Sequence, residues 1–78
     1  MSDVKEINIA LTKEEALVLF EFLSRFNLTY DKEIFEDQSE EKMLWLIEGQ
    51  LQKLLVEPFM PNYTDLIKEA RNKLRDEE

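Results

Sequence analysis

The chain has 78 residues, which is the size of one small domain with a modest hydrophobic core. It contains no cysteine and no histidine, so disulfide bonds and the usual zinc sites are excluded. Its formal net charge is −8, which argues against direct binding to nucleic acid, because phosphate contacts require lysine and arginine on one face.

The acidic residues concentrate over residues 33–41 and 76–78. Such a surface either only maintains solubility or attracts a basic protein partner. The sequence has no charged leader followed by an apolar run, and no apolar stretch near the roughly 20 residues of a membrane span. These features predict a cytoplasmic protein that does not enter the membrane.

Residues 5–11 alternate between two faces, one of which carries Ile7, Ile9 and Leu11. This alternation predicts a short, half-buried β-strand. A solitary strand leaves its backbone groups unpaired. Three solutions are open: the strand pairs with residues 28–35, pairs with a second copy of the chain, or lies against the helices as irregular coil.

The first helix is predicted over Lys13–Phe26, after a capping box formed by Thr12 and Glu15. Its apolar residues cover an arc of roughly 200°, wider than a small surface helix needs. That arc comprises Ala16, Val18, Leu19, Phe20, Phe22, Leu23 and Phe26. Leu17 lies apart from it. The helix is therefore predicted to be central in the fold or to face a second molecule.

A polar break over residues 27–32 follows, and residues 33–37 fit either a helix start or an extended segment. The second helix is predicted to begin near Asp37 or Ser39 and to continue to about Val56. Two prolines end it, and a third helix is predicted from Asn62. The predicted fold is mainly α: one domain over residues 1–78, a three-helix bundle preceded by one short N-terminal strand.

The residue types for catalysis are sparse. No histidine is present to activate a serine or threonine, and the single glycine, Gly49, lies within a predicted helix instead of a phosphate-binding loop. Two carboxylate pairs, Glu36 with Glu40 and Asp37 with Glu41, have helical spacing that would suit a hard cation. They are better explained as solvated charges at a helix start. We expect no catalytic residue, no cofactor and no metal.

Trp45 is predicted to point away from the apolar half of the second helix. Four residues surround it on the helical projection: Glu41, Glu48, Gly49 and Gln52. Tryptophan is enriched at binding hot spots, and a neighbouring glycine leaves room for close approach. Either this side chain forms part of a partner interface, or the N-terminal strand or the 57–62 connector covers it.

Self-association is a second expectation, since a small domain without a disulfide or metal gains stability from a second subunit. The candidate interface of a homodimer includes Leu17 and Val18 of the first helix, together with the strand residues Ile7, Ile9 and Leu11. Alternatively, contacts within a monomer account for all the apolar residues of the first helix.

Three segments, LTKEEALVLFEFLSRF, EDQSEEKMLWLIEGQL and LVEPFMPNY, resemble those of a group of short, acidic, stand-alone bacterial helical proteins. The resemblance implies a bacterial cytosolic source and a helical fold, and it implies no activity. Small acidic immunity proteins of nuclease toxins are similar in size and charge alone.

Two functions follow as hypotheses. The first is a small, acidic, cytosolic protein–protein interaction module without catalytic activity. The alternative is an acidic decoy or inhibitor that occupies the nucleic-acid site of a basic protein, as an antitoxin, immunity or phage anti-defence factor does.

Overall fold

The structure is a computed structural model that describes residues 5–76. Three α-helices follow one another along the chain: α1 (Lys13–Thr29), α2 (Gln38–Leu54) and α3 (Tyr63–Asp76). A short 3₁₀ helix lies in each connection, over Lys32–Ile34 and Glu57–Phe59. The prediction of a mainly α fold with three helices is therefore confirmed.

Helix α1 is central, because both α2 and α3 pack against it. Seven buried side chains form a single hydrophobic core. Six of them belong to the three helices, and the seventh is Leu55, the C-terminal cap of α2. They are Leu17, Phe20, Leu23, Leu51, Leu55, Ile67 and Ala70. No side chain among residues 5–76 is less than 2% exposed, so this core is thin.

The start of α1 follows from local chemistry. The Thr12 side chain accepts a hydrogen bond from the backbone N–H of Glu15 at 3.1 Å, and the Glu15 carboxylate accepts one from the N–H of Thr12 at 2.8 Å. This reciprocal arrangement is the predicted capping box, and it satisfies two backbone donors that the helix leaves free.

Helix α1 continues three residues beyond the predicted end at Phe26. The segment after Phe26 contains neither glycine nor proline, so nothing in it stops the helix. The ring of Phe26 also stacks on that of Tyr30 with centroids 5.5 Å apart, which favours helical spacing through the last turn.

The start of α2 is capped by Asp37, whose carboxylate accepts a hydrogen bond from the N–H of Ser39 at 2.8 Å. Of the two predicted starting points, Asp37 is the correct one. For the segment before it, the sequence fitted either a helix start or extended chain. Lys32–Ile34 form a 3₁₀ helix there, capped by Asp31. The helix ends at Leu54, two residues before the predicted Val56.

Helix α3 is held to α1 by polar contacts along its length. The Tyr63 hydroxyl donates a hydrogen bond to the Glu21 carboxylate at 2.9 Å, and Lys73 lies 3.4 Å from a Glu14 oxygen. Partial burial, and then the contact with Glu21, raise the pKa of the Tyr63 hydroxyl, so it stays protonated. The contacts show that α1 and α3 run antiparallel.

The predicted N-terminal strand is not present. Residues 5–12 form neither helix nor strand, and no strand occurs among residues 5–76. The side chains of Ile7, Ile9 and Leu11 are exposed. The physical reason is that a strand requires a neighbour for its backbone groups, and neither residues 28–35 nor any other described segment provides one.

Candidate interaction surface

Trp45 lies on the outer surface of α2, where 51% of the residue is exposed. The side chain borders a surface groove over the first turns of α2, which Asp37 and Glu41 also line. A large aromatic residue therefore meets solvent beside two carboxylates.

Gly49 and Gln52 follow Trp45 at helical spacing and complete a strip along α2. We call the surface formed by Trp45, Gly49 and Gln52 the Trp45 strip. A Cβ atom added at Gly49 would have no neighbour within 4 Å, and Gln52 is exposed. The glycine therefore does not serve close packing inside this chain, although such packing is the usual reason for a glycine in a helix.

Glu48, the fourth predicted neighbour of Trp45, faces α1 instead of solvent. Its carboxylate accepts a hydrogen bond from the Ser24 hydroxyl at 3.2 Å and another from the Asn27 side-chain amide at 2.6 Å. Both contacts are partly buried. Glu48 therefore fixes how α2 sits on α1 and thereby orients the Trp45 strip, without itself being part of the open surface.

Leu17 is a correction to the expected interface. It is only 4% exposed and lines the groove between α1 and α3 together with Leu66 and Ala70. Helix α3 packs on the side of α1 that carries Leu17, which the helical projection placed outside the apolar arc. Leu17 therefore belongs to the core. Val18 is half-buried and packs against the same core. Leu17 itself therefore offers almost no surface to a second copy.

Carboxylates dominate the surface near the start of α2. Residues 31–41 contain six acidic side chains and one lysine. Hydrogen bonds from Ser39 hold the pKa of the Asp37 carboxyl below its ordinary value, so it stays ionised. Glu40 accepts a hydrogen bond from the N–H of Glu36 at 3.0 Å. Asp37 therefore caps α2 with a charged side chain in the groove that Trp45 borders.

An aromatic cluster that was not predicted from the sequence is formed by the second half of α1 and the segment that follows it. The rings of Phe22, Phe26 and Tyr30 stack in succession at 5.7 and 5.5 Å, and Phe35 meets Tyr30 edge-on at 5.1 Å. The Arg25 guanidinium lies 5.7 Å from the Phe22 ring centroid. The i, i+4 spacing of the first three residues is the signal that could have revealed it.

Within residues 5–76, no three histidine, cysteine, aspartate or glutamate side chains are grouped closely enough to hold a metal ion. None of the helices described is long and apolar enough to cross a membrane. Comparisons with models of protein families, with curated proteins and with solved structures find no match to this chain.

Proposed function

We propose that this protein is a small, acidic protein–protein interaction module without catalytic activity, and that the Trp45 strip is the centre of its partner surface. The observation that supports this most directly is the exposure of Trp45. About half of this residue meets solvent, although a side chain of this size gains more from burial than most others.

The neighbours of Trp45 support the same assignment. Gly49 leaves open space next to the ring, so a partner side chain can approach the backbone of α2 closely. Glu48 holds α2 against α1, so the strip is rigid before a partner arrives. Preorganised surfaces lose less entropy on binding than flexible ones.

The charge around the strip indicates the chemistry of the partner. Asp37 and Glu41 border the same groove as Trp45, and Lys42 is the only basic side chain there. A partner that places an apolar or aromatic group on Trp45 and lysine or arginine around it would match both features. The carboxylates would speed association with such a partner more than they would tighten the complex.

The proposal includes no cofactor, no metal, no direct contact with nucleic acid and no membrane. It places the protein in the cytoplasm, in keeping with a sequence that contains no cysteine. A bacterial source is the further expectation from the resemblance.

The experiment uses Trp45 as both hot spot and reporter. The tagged chain captures its partner from an extract of the source cells, alongside Trp45→Ala and the control Leu28→Ala, which truncates an exposed leucine outside the strip. We expect Trp45→Ala to lose the partner by about 30-fold or more in affinity, as at a hot spot. Leu28→Ala should retain it.

Trp45 is the single tryptophan, so its fluorescence reports on the strip directly. Binding of the purified partner should shift its emission to shorter wavelength. Unchanged emission on binding, or equal capture by Trp45→Ala and wild type, would show that the strip is not the interface.

The acidic decoy is the second candidate, and the six carboxylates of residues 31–41 favour it. The two functions differ in salt dependence, because exposed charges are screened within about 10 Å at 0.1 M salt. A decoy that depends on carboxylate rows should lose most of its affinity between low and high salt. Binding centred on Trp45 should change little. A Glu36→Gln/Glu40→Gln variant should weaken a decoy and leave the Trp45 complex nearly intact.

A further inference from the structure

A second exposed apolar surface lies where α1 begins and α2 ends. Its first part is the N-terminal arm, residues 5–12, in which Ile7 is 91% exposed. No hydrogen bond between described residues involves residues 5–11 of this arm. The arm therefore presents both apolar side chains and free backbone groups to solvent.

The second part is the apolar turn, which we define as Leu54, Val56, Phe59 and Met60. All four side chains are exposed, and Phe59 is 71% exposed. The Lys13 ammonium lies 2.9 Å from a Glu57 carboxylate oxygen, which ties the base of the arm to the middle of the turn. The arm thus leaves the body of the protein beside the turn without covering it.

The whole chain, with its terminal residues outside 5–76 and its undocked arm, exposes more surface than a compact monomer of its mass. The chain exposes 6651 Å², whereas a folded protein of 9.4 kDa exposes about 5,000 Å². Its radius of gyration is 14.5 Å, against about 11.5 Å for a compact chain of this length. The excess of roughly 1,600 Å² is twice the area that each partner buries in a standard interface.

We propose that the arm of one copy docks on the apolar turn of a second copy, and reciprocally, to form a two-fold dimer. The chain carries both halves of this contact, and an isologous arrangement buries them twice in one closed assembly. The arm spans at most about 26 Å when extended, which is enough to cross onto a neighbour. This inference does not depend on the proposed function, which uses a different side of α2.

Charge also favours a second copy at this end. Residues 5–15, 53–60 and 73–76, which the antiparallel packing of α1 and α3 places at this end, together carry five basic and five acidic side chains, so two such ends repel each other little. Residues 31–41 carry six acidic side chains and one lysine, so two acidic ends would repel. This end is therefore the more favourable of the two for self-association of a chain with a net charge of −8.

Analytical ultracentrifugation of the full chain tests the dimer. At about 100 μM, where a micromolar complex is formed, wild type should sediment at twice the 9.4 kDa chain mass. Ile7→Asp/Ile9→Asp in the arm and Val56→Asp/Phe59→Asp in the turn should each weaken dimerisation at least about tenfold. All four residues are exposed, so circular dichroism should show unchanged folding.

Two control variants locate the contact. Leu28→Asp changes an exposed leucine far from the arm along α1, and Trp45→Ala changes the proposed partner surface; both should dimerise like wild type. A wild-type chain that remains monomeric at this concentration would overturn the inference. So would a dimer that survives both the arm and the turn variants, or one that Trp45→Ala abolishes.

The absence of native cysteine permits a direct test of which chains touch. Chains with Ile9→Cys and chains with Val56→Cys should form a mixed disulfide preferentially when combined. The double variant Ile9→Cys/Val56→Cys should close into a covalent dimer. Closure within one chain at the same positions would show that the arm docks on its own turn, which contradicts the proposal.

Discussion

The glycine in the middle of α2 should be replaceable by alanine with a gain in stability. Gly49 lies in the helix interior, far from both caps, and has no positive φ angle that would require glycine. An added Cβ would have no neighbour within 4 Å, so Gly49→Ala brings no steric cost. The remaining term is the helix propensity, which favours alanine over glycine by about 1 kcal/mol.

In a domain of this size, 1 kcal/mol should raise the midpoint of thermal unfolding by roughly 4–8 °C. Circular dichroism at 222 nm during heating, with urea denaturation at 25 °C, measures the effect. Gln52→Ala is the matched control, because it truncates an exposed side chain on the same strip while changing the helix propensity by only a few tenths of a kcal/mol. Its midpoint should move by less than that of Gly49→Ala.

A loss of stability in Gly49→Ala would refute this reasoning, because it would mean that another part of the same chain approaches Gly49 closely. The companion variant Gly49→Leu fills the space beside Trp45. It should remain folded and still reduce binding of the partner. A glycine that lowers the stability of its own helix but improves binding would then have a functional reason to be there.

Three further predictions concern the fold. Leu17→Ala should lower the free energy of unfolding by about 2–5 kcal/mol, whereas Leu28→Ala, at a residue that is 85% exposed, should change it by less than about 0.5 kcal/mol; equal effects in urea denaturation would contradict the core. Thr12→Ala should cost about 1 kcal/mol through loss of the capping box, measured by thermal unfolding, and an unchanged midpoint would show that the cap contributes nothing. The hydrogen bond from Lys13 holds the pKa of the Glu57 carboxyl below its ordinary value of 4.5, so this contact stabilises the fold above that pH and is lost as the pH falls through the folded-state pKa. Lys13→Met should therefore lose less stability than wild type on acidification from pH 7 to pH 3, by thermal unfolding at both values.

Local chemistry made the helices predictable. The Thr12 capping box and the Asp37 cap both involve residues within three positions of each other. Both can therefore be recognised from a short stretch of sequence. The end of α1 was harder, because the segment after Phe26 combines turn-forming residues with no glycine. The stacking of Phe26 on Tyr30 extends the helix, and placing the end at Phe26 also concealed the aromatic cluster.

Contacts between distant segments explain the errors. The apolar residues of α1 cover more than half of its circumference, so the helical projection alone does not say which side α3 will occupy. Leu17 is a core residue because α3 packs beside it. The strand is absent from the described single chain for a similar reason: Ile7, Ile9 and Leu11 do alternate in the sequence, but a strand needs a pairing neighbour, and no segment among residues 5–76 supplies one.

The burial of Leu17 also decides how association must be tested. A charge at Leu17 would break the core, so loss of a dimer in such a variant would report unfolding instead of an interface. The arm and the apolar turn avoid this problem, since their side chains are exposed and contribute little to the single chain. Leu54, where the turn begins, lies nine residues after Trp45 and therefore on the opposite side of the α2 axis. A dimer formed through the arm and the turn would leave both Trp45 strips open, so self-association and partner binding should be independent: saturating the Trp45 strip should leave the dimer dissociation constant unchanged.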